Sequence, residues 1–555
     1  QNINRRYDIV YGDVMLNFNY NIRRFDIAAT LGWTGRYENM NNMRVSTNGG
    51  LVTENWFDLN ASRYTASSTL QRMALLKTGY MGTLSLGWDN YLFLELTGRQ
   101  ERSSTLKDQS FFYPSANLSF LFSNAFRMPA WWNHGKLRLS YGVVGNAPET
   151  YAANIIYEQG SDNGFTWNYV PSSWGNANIR PEKKYEYEIG FESKFLNNRL
   201  GFDVSYYNNR VKDQILSTPQ PSTSGVKYVL MNVGEVANEG WDISVSATPV
   251  LTKNFRWDLT ANYGIYRNKV VKLADGVPYL EISNIGGGGA KIQAVEGRPM
   301  GDIYVQVPQM NENGEYLVSD KGLYMNQTEL QRVGNINPDG VGGLFSSFSY
   351  KNIFLDFSID FRIGGDVINE MYQYSTASGL TPESLQFRDT EHGGLSYYYP
   401  GNNNASGVPV QVDPSLGAGP NGETVYHDGV ILPGVVASTG EKNTRIIPAG
   451  YYYNQTYNWG TQPEQLTYRH SVFDNSYVKL RELTIGYQFP EKLISKLGMT
   501  RLSVSVFGRN LFYFYKALKN YDAESSVGTS WASQAVVGGS TTATRNFGVS
   551  LRASF

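Results

Sequence analysis

The chain has 555 residues, a formal net charge of -1, no cysteine, and 14% aromatic residues. Disulfides and thiolate sites are therefore excluded, and the near-neutral charge argues against nucleic acid as a partner. No run of about 18 apolar residues occurs, so no transmembrane helix is expected; this does not exclude a β-barrel, in which only the outward side chains meet lipid.

Taken in order, the chain carries fifteen membrane-length strand patterns, near 8–20, 24–37, 76–88, 91–102, 111–122, 136–145, 184–195, 200–213, 236–248, 255–269, 341–350, 353–364, 477–489, 500–512 and 544–555. Each alternates apolar and polar residues, as a strand with one dry and one wet face requires. Tyr187, Ile189 and Phe191 alternate with Glu186, Glu188, Gly190 and Glu192. Leu355, Phe357, Ile359 and Phe361 alternate with Asp356, Ser358, Asp360 and Arg362. At the C-terminus, Phe547, Val549, Leu551, Ala553 and Phe555 share one face.

The connections alternate in length. Short ones are predicted at 21–23, 89–90, 196–199, 249–254, 351–352 and 490–499, with a somewhat longer one at 123–135. Long ones are predicted at 38–75, 146–183, 214–235, 270–340, 365–476 and 513–543, with a modest one at 103–110. Short turns on one side and long loops on the other characterise bacterial outer-membrane barrels; a soluble sandwich has no reason to keep every second connection short. The fold class expected is all-β: a transmembrane antiparallel β-barrel. Counting the alternation back from a last strand running inward makes the first strand run inward too. Closure of a barrel with an even strand number then calls for an odd number of further strands. Gln1 opens almost directly on a strand without a signal peptide, so a preceding part of the protein is expected.

Several stretches resemble the SusC/RagA-like TonB-dependent transporters of Gram-negative outer membranes. They are FYPSANLSFLFSNAF (112–126), LRLSYGVVGN (137–146), IRPEKKYEYEIGFE (179–192), NVGEVANEGWDISV (232–245) and VGNINPDGVGGLFSSFSYKNIFLDFSI (333–359). FDNSYVKLRELTIGYQFP (473–490), VSVFGRNLFYF (504–514), the acidic NYDAES (520–525) and the closing NFGVSLRASF follow. NYDAES departs from the family's more usual Asp-Pro-Glu arrangement. The resemblance implies a barrel of about 22 strands filled by an N-terminal plug. Residues 1–555 would be its C-terminal part, strands 8 to 22, with the plug and the TonB-contacting segment upstream. It further implies active import of oligosaccharides or peptides across the outer membrane, a SusD-like lipoprotein partner over the loops, TonB as the energy-coupling partner, and no cofactor or catalytic residue. The alternatives are a passive porin and an outer-membrane hydrolase.

Enzyme signatures are absent: there is no G-x-S-x-G and no H-E-x-x-H. His134, His392, His427 and His470 are far apart and predicted in loops or turns, so no metal site is expected. Gly286–Gly289 lacks the G-K-[ST] ending of a phosphate loop and reads as a flexible loop. Asn311-Glu312-Asn313-Gly314 lacks the spaced carboxylates of a calcium loop and reads as a hairpin turn. The long loops supply the candidate substrate contacts, because aromatic faces stack on sugar rings and on protein partners. These are Trp56, Trp167, Trp174, Tyr397, Tyr398, Tyr399, Tyr451, Tyr452, Tyr453 and Trp459.

Overall fold

In a computed structural model the chain is described at residues 1–107, 109–162, 165–458, 467–539 and 542–555. Fifteen strands form one antiparallel sheet in which spatial order follows sequence order. They are β1 (Asn2–Ile22), β2 (Phe25–Leu51), β3 (Ser62–Trp88), β4 (Leu92–Ser103), β5 (Ser110–Phe120), β6 (Trp132–Asn146), β7 (Glu182–Phe195) and β8 (Leu200–Lys212). β9 (Glu235–Leu251), β10 (Phe255–Lys272), β11 (Gly340–Tyr350), β12 (Ile353–Ile363), β13 (Tyr477–Gln488), β14 (Arg501–Lys516) and β15 (Asn546–Ser554) complete it. Among the described residues, no helix is long and apolar enough to cross a membrane.

The chain divides into two compact units: Gln1–Ala247 with Tyr266–Pro278, and Thr248–Ile265 with Tyr279–Phe555. In the first, alternation over the membrane-length parts of the strands separates the faces. Val14, Leu16, Phe18, Leu31, Leu139 and Ile189 lie exposed on the apolar one. In water such a band would be costly; against acyl chains it is the stable arrangement. At the short-turn ends the band closes in a chain of rings. Phe25 meets Trp88 (6.2 Å), Trp88 meets Tyr91 (5.4 Å), Tyr91 meets Phe120 (6.1 Å), and Trp131 meets Phe195 (5.9 Å). Amphipathic rings at one level are the girdle expected at a membrane–water interface. Arg23 and Lys351, each opening a two-residue turn in its own unit, have positive φ, which matches hairpin turns to strand twist.

Two expectations need correction. The long connection expected at 38–75 is largely sheet: β2 and β3 continue in register through Met40↔Met73 and Ser46↔Ser67, leaving only 52–61 between them. These extensions are rich in Asn, Arg and Ser on both faces, so the alternation signal of a lipid-facing strand is missing although the ladder continues. His134 lies in β6 and His427 in the short strand Val425–Val430, not in loops. β6 starts early because Trp132 packs on Phe195 at 5.4 Å and its indole N–H donates to Ser193 Oγ at 2.6 Å.

In the second unit the long connections fold into a layer with its own core. The sheet of Tyr279–Ile285, Ala290–Val295, Asp302–Val305 and Gln331–Asn335 buries Ile285, Ile292, Ile303 and Val305 with Ile368, Tyr468 and Val536. A second sheet joins Val410–Gln411, Leu395–Tyr398, Val425–Val430 and Ile447–Pro448. Helices Glu370–Ala377 and Ala449–Tyr457 pack beside them around Tyr372, Tyr453 and Tyr457.

Candidate functional site

The polar face of the first unit is a hydrogen-bonded wall. Thr30 Oγ1 donates to Asn17 at 2.8 Å, and Asn238 donates to Asn209 at 2.8 Å, which donates to Glu186 at 3.2 Å. Arg138 reaches across two strands to Asp203 at 2.6 Å, to Ser205 at 3.1 Å and to Glu192 at 3.4 Å. Near the short turns a groove of about 680 Å³ is lined by polar residues such as Asn19, Asp26, Glu95 and Asn117 and by apolar ones such as Leu86 and Phe93. The hydrogen-bonded polar groups of this face favour a hydrated occupant over lipid.

In the second unit the polar face carries a charge cluster built by a β-bulge. Ser358 pairs with Glu482 and Ile359 with Leu480, while across the other edge Leu480 pairs with Phe512 and Glu482 with Arg509. Arg481 is thus the extra residue of β13 against β12, while against β14 it stands opposite Asn510 and Leu511, so that the extra residue of that ladder lies on β14; a bulge re-aims the side chain. Arg481 donates to Asp360 at 2.6 Å, to Asn510 at 2.8 Å and to Glu524 at 2.6 Å. Lys479 is 2% exposed, pairs with Glu524 at 2.5 Å and sits over the Tyr513 ring at 4.7 Å. Asp522 accepts from Tyr513 at 2.5 Å and from the Ala543 N–H at 2.9 Å. The acidic motif 520–525 therefore pins the 517–545 connection to the sheet. Burial works against the Glu524 carboxylate, but the hydrogen bonds from Arg481 and Lys479 hold its pKa below the ordinary range.

The predicted aromatic candidates fall into separate groups. Trp56 is exposed at the tip of the β2–β3 hairpin, and Trp167 is exposed on the hairpin of Glu158–Asp162 and Phe165–Tyr169. Trp174 is half-buried, edge-on to Tyr157 at 5.7 Å. Tyr397 is buried, stacked on Tyr426 at 5.5 Å, with its hydroxyl donating to Asp428 at 3.1 Å. Tyr398 is half-buried, and Tyr399 closes edge-on over Tyr397 at 5.6 Å. Tyr451 and Tyr452 pack on Leu323, Val430, Leu432 and Ile447. Tyr453 is buried and donates to the Glu383 carbonyl at 2.8 Å; burial pushes its hydroxyl up to about 12. Trp459 lies outside the described residues. The Gly286–Gly289 tract is the seat of Tyr468: a Cβ on Gly289 would lie 2.6 Å from its ring. The turn at Asn311–Gly314 is present, with the Asn311 N–H donating to the Glu315 carbonyl at 2.9 Å. Among the described residues, no group of His, Cys, Asp and Glu is placed to hold a metal ion.

An antiparallel sheet with a lipid-facing apolar band, an aromatic girdle and a polar opposite face defines an outer-membrane β-barrel protein. The profile of the family described as TonB dependent receptor-like, beta-barrel, matches residues 1–302, and the chain belongs to that family. It is 22% identical over 469 residues to TonB-dependent receptor P3 of Formosa agariphila, covering 76% of this chain and 39% of that protein. It is 27% identical over 256 residues to TonB-dependent receptor SusC of Bacteroides thetaiotaomicron, covering 40% of this chain and 24% of that one. Among solved structures, the RagAB peptide transporter shares the fold with a TM-score of 0.70 at 17% identity, over 99% of this chain and 56% of that chain. The chain thus spans well under two thirds of the length of these relatives.

Proposed function

We propose that residues 1–555 form the wall, lumen surface and outer loop layer of an importer. It takes up oligosaccharides or peptides across the outer membrane together with a SusD-like surface lipoprotein. TonB drives the transport through a plug that this sequence does not include. The family match over 1–302 carries the reading. The folded loop layer of the second unit supports it, because connections with their own sheets and core, at 279–340 and 365–476, give a lipoprotein a shaped surface. Of the aromatic candidates, Trp56 and Trp167 present open rings for cargo, whereas Tyr397 and Tyr453 spend their ring surface inside the layer. No residue is assigned a catalytic role.

The test is uptake of fluorescently labelled oligosaccharides and peptides by cells carrying the intact gene, with and without TonB. Uptake that vanishes without TonB supports the importer. Uptake that persists, together with ion conductance of the purified protein in planar bilayers, would establish a passive porin.

A further inference from the structure

Phe165, Trp167 and Tyr169 alternate along one strand of the hairpin in the 147–181 connection. Across from them stand Asp162, Gly160 and Glu158. Side chains two apart point to the same side of a strand, at about 6.8 Å spacing, so the three rings form a row on one face. They are 78%, 47% and 45% exposed. Two of the three are held in place from beneath. A Cβ on Gly160 would lie 2.6–2.8 Å from three indole atoms of Trp167, so the indole lies across the glycine with its other face open. The Tyr169 hydroxyl is hydrogen-bonded to the Glu158 carboxylate. Rings fixed before a ligand arrives lose little entropy on binding it.

We propose that this row is a stacking platform for an extended neutral glycan chain. Three features select that occupant. The open ring surface amounts to roughly 400 Å² by the usual size of these side chains, about half the ~800 Å² per partner of a stable protein interface. The residues across from Trp167 and Tyr169 are Gly160 and Glu158, which add no apolar wall beside the rings, whereas a bound peptide is gripped by pockets for its side chains. The described residues of the hairpin include Glu158 and neither Lys nor Arg, which disfavours an anionic chain. The apolar C–H face of a pyranose stacks on an aromatic face, and the Glu158 carboxylate at the end of the row accepts from a sugar hydroxyl. The proposal rests on the import reading only in placing the hairpin outside the cell, where cargo is met.

The experiment is calorimetric titration of the full-length protein in detergent with cellohexaose, laminarihexaose and mannohexaose, and with a proline-rich hexapeptide. At least one hexasaccharide should bind, about tenfold more weakly to Trp167→Ala and to Gly160→Val, the second of which keeps the indole but displaces it. Leu380→Ala, exposed on another connection and given no part in cargo binding, should bind as the parent does. Heat-modifiable migration on gels shows that each variant retains its barrel. Three results would overturn the platform: no hexasaccharide binding, binding indifferent to Trp167 and Gly160, or Trp167-dependent binding of the hexapeptide alone. Because binding is read without TonB, loss of uptake with binding intact would fault the import reading and leave the platform standing.

Discussion

Lys479 shows how much depends on a single loop carboxylate. An ammonium withdrawn from water in this way needs a partner, and its partner comes from the 517–545 connection. Glu524→Gln should therefore cost about 3 kcal/mol locally, because it leaves Lys479 buried without a counter-charge. Faster hydrogen exchange in 519–526 with the barrel still folded is the expected readout; exchange unchanged from the parent would show that Asp360 and Tyr513 suffice. The Glu524 carboxyl has its pKa depressed in the folded state, so its contribution is present above the ordinary carboxylate range and is lost as pH falls through the depressed value. Exchange in the same segment should therefore rise on acidification below about pH 4. Glu370, raised by burial, has the opposite sign: its contribution is complete at low pH and is lost as pH rises through its elevated value. Exchange in 519–526 rising toward neutral pH would therefore assign control to Glu370. None of this coupling was legible in sequence. FDNSYVKLRELTIGYQFP and NYDAES both stand out as stretches, but a bulge shifts side-chain parity by one, and nothing in an alternating pattern marks Arg481 as the extra residue.

At the level of strands, the pattern was legible wherever lipid enforces it. Each strand of the large sheet corresponds to an alternating segment, because one wrong parity would put a charge in hydrocarbon. Phe357 stacks on Phe348 at 6.2 Å on the apolar face, while Ser358 faces Phe345 and Glu482 on the polar one. Phe357→Arg should cost about 2–4 kcal/mol in a bilayer refolding titration, and Ser358→Arg much less. Equal costs would contradict the register. Legibility failed where both faces are wet. The upper parts of β2 and β3 pair as regularly as the rest, yet their Asn, Arg and Ser residues carry no period. The short strands of the loop layer are set by partners far away in sequence, such as Leu317 beside Val435, and no local pattern announces them. The aromatic candidates show the same limit. Composition marks Tyr397 and Trp167 alike as loop aromatics, but tertiary packing buries one in the layer and leaves the other open.

For the molecule as a whole, the loop layer and the sheet edges set different demands. Leu323, from the 306–327 stretch, is buried against Val430, Leu432 and Ile447. Removing all of Pro400–Gly450 would therefore strip a core as well as shorten a loop, whereas removing 401–421, largely exposed, should spare that core. If the lipoprotein docks here, the shorter deletion should weaken its co-purification while the barrel still assembles; unchanged pairing would take this loop out of the interface. The sheet edges make the stronger demand. Among the described residues, β1 has a neighbour in the sheet only in β2, and β15 only in β14. The apolar residues of β15, Phe547, Val549 and Leu551, are the exposed set expected against acyl chains, so this strand belongs in hydrocarbon. An unpaired N–H or C=O there costs several kcal/mol, and a strand edge presents one every residue or two. We therefore propose that further strands complete the ladder in the membrane. Residues 1–555 expressed alone should give no heat-modifiable species after refolding into vesicles. Expression of the intact gene should give a closed barrel. In it, Ser550→Cys should form a disulfide with a cysteine introduced on a strand from outside residues 1–555, if such a strand pairs with β15. A protease-resistant, heat-modifiable barrel formed by residues 1–555 alone would refute the need for those strands.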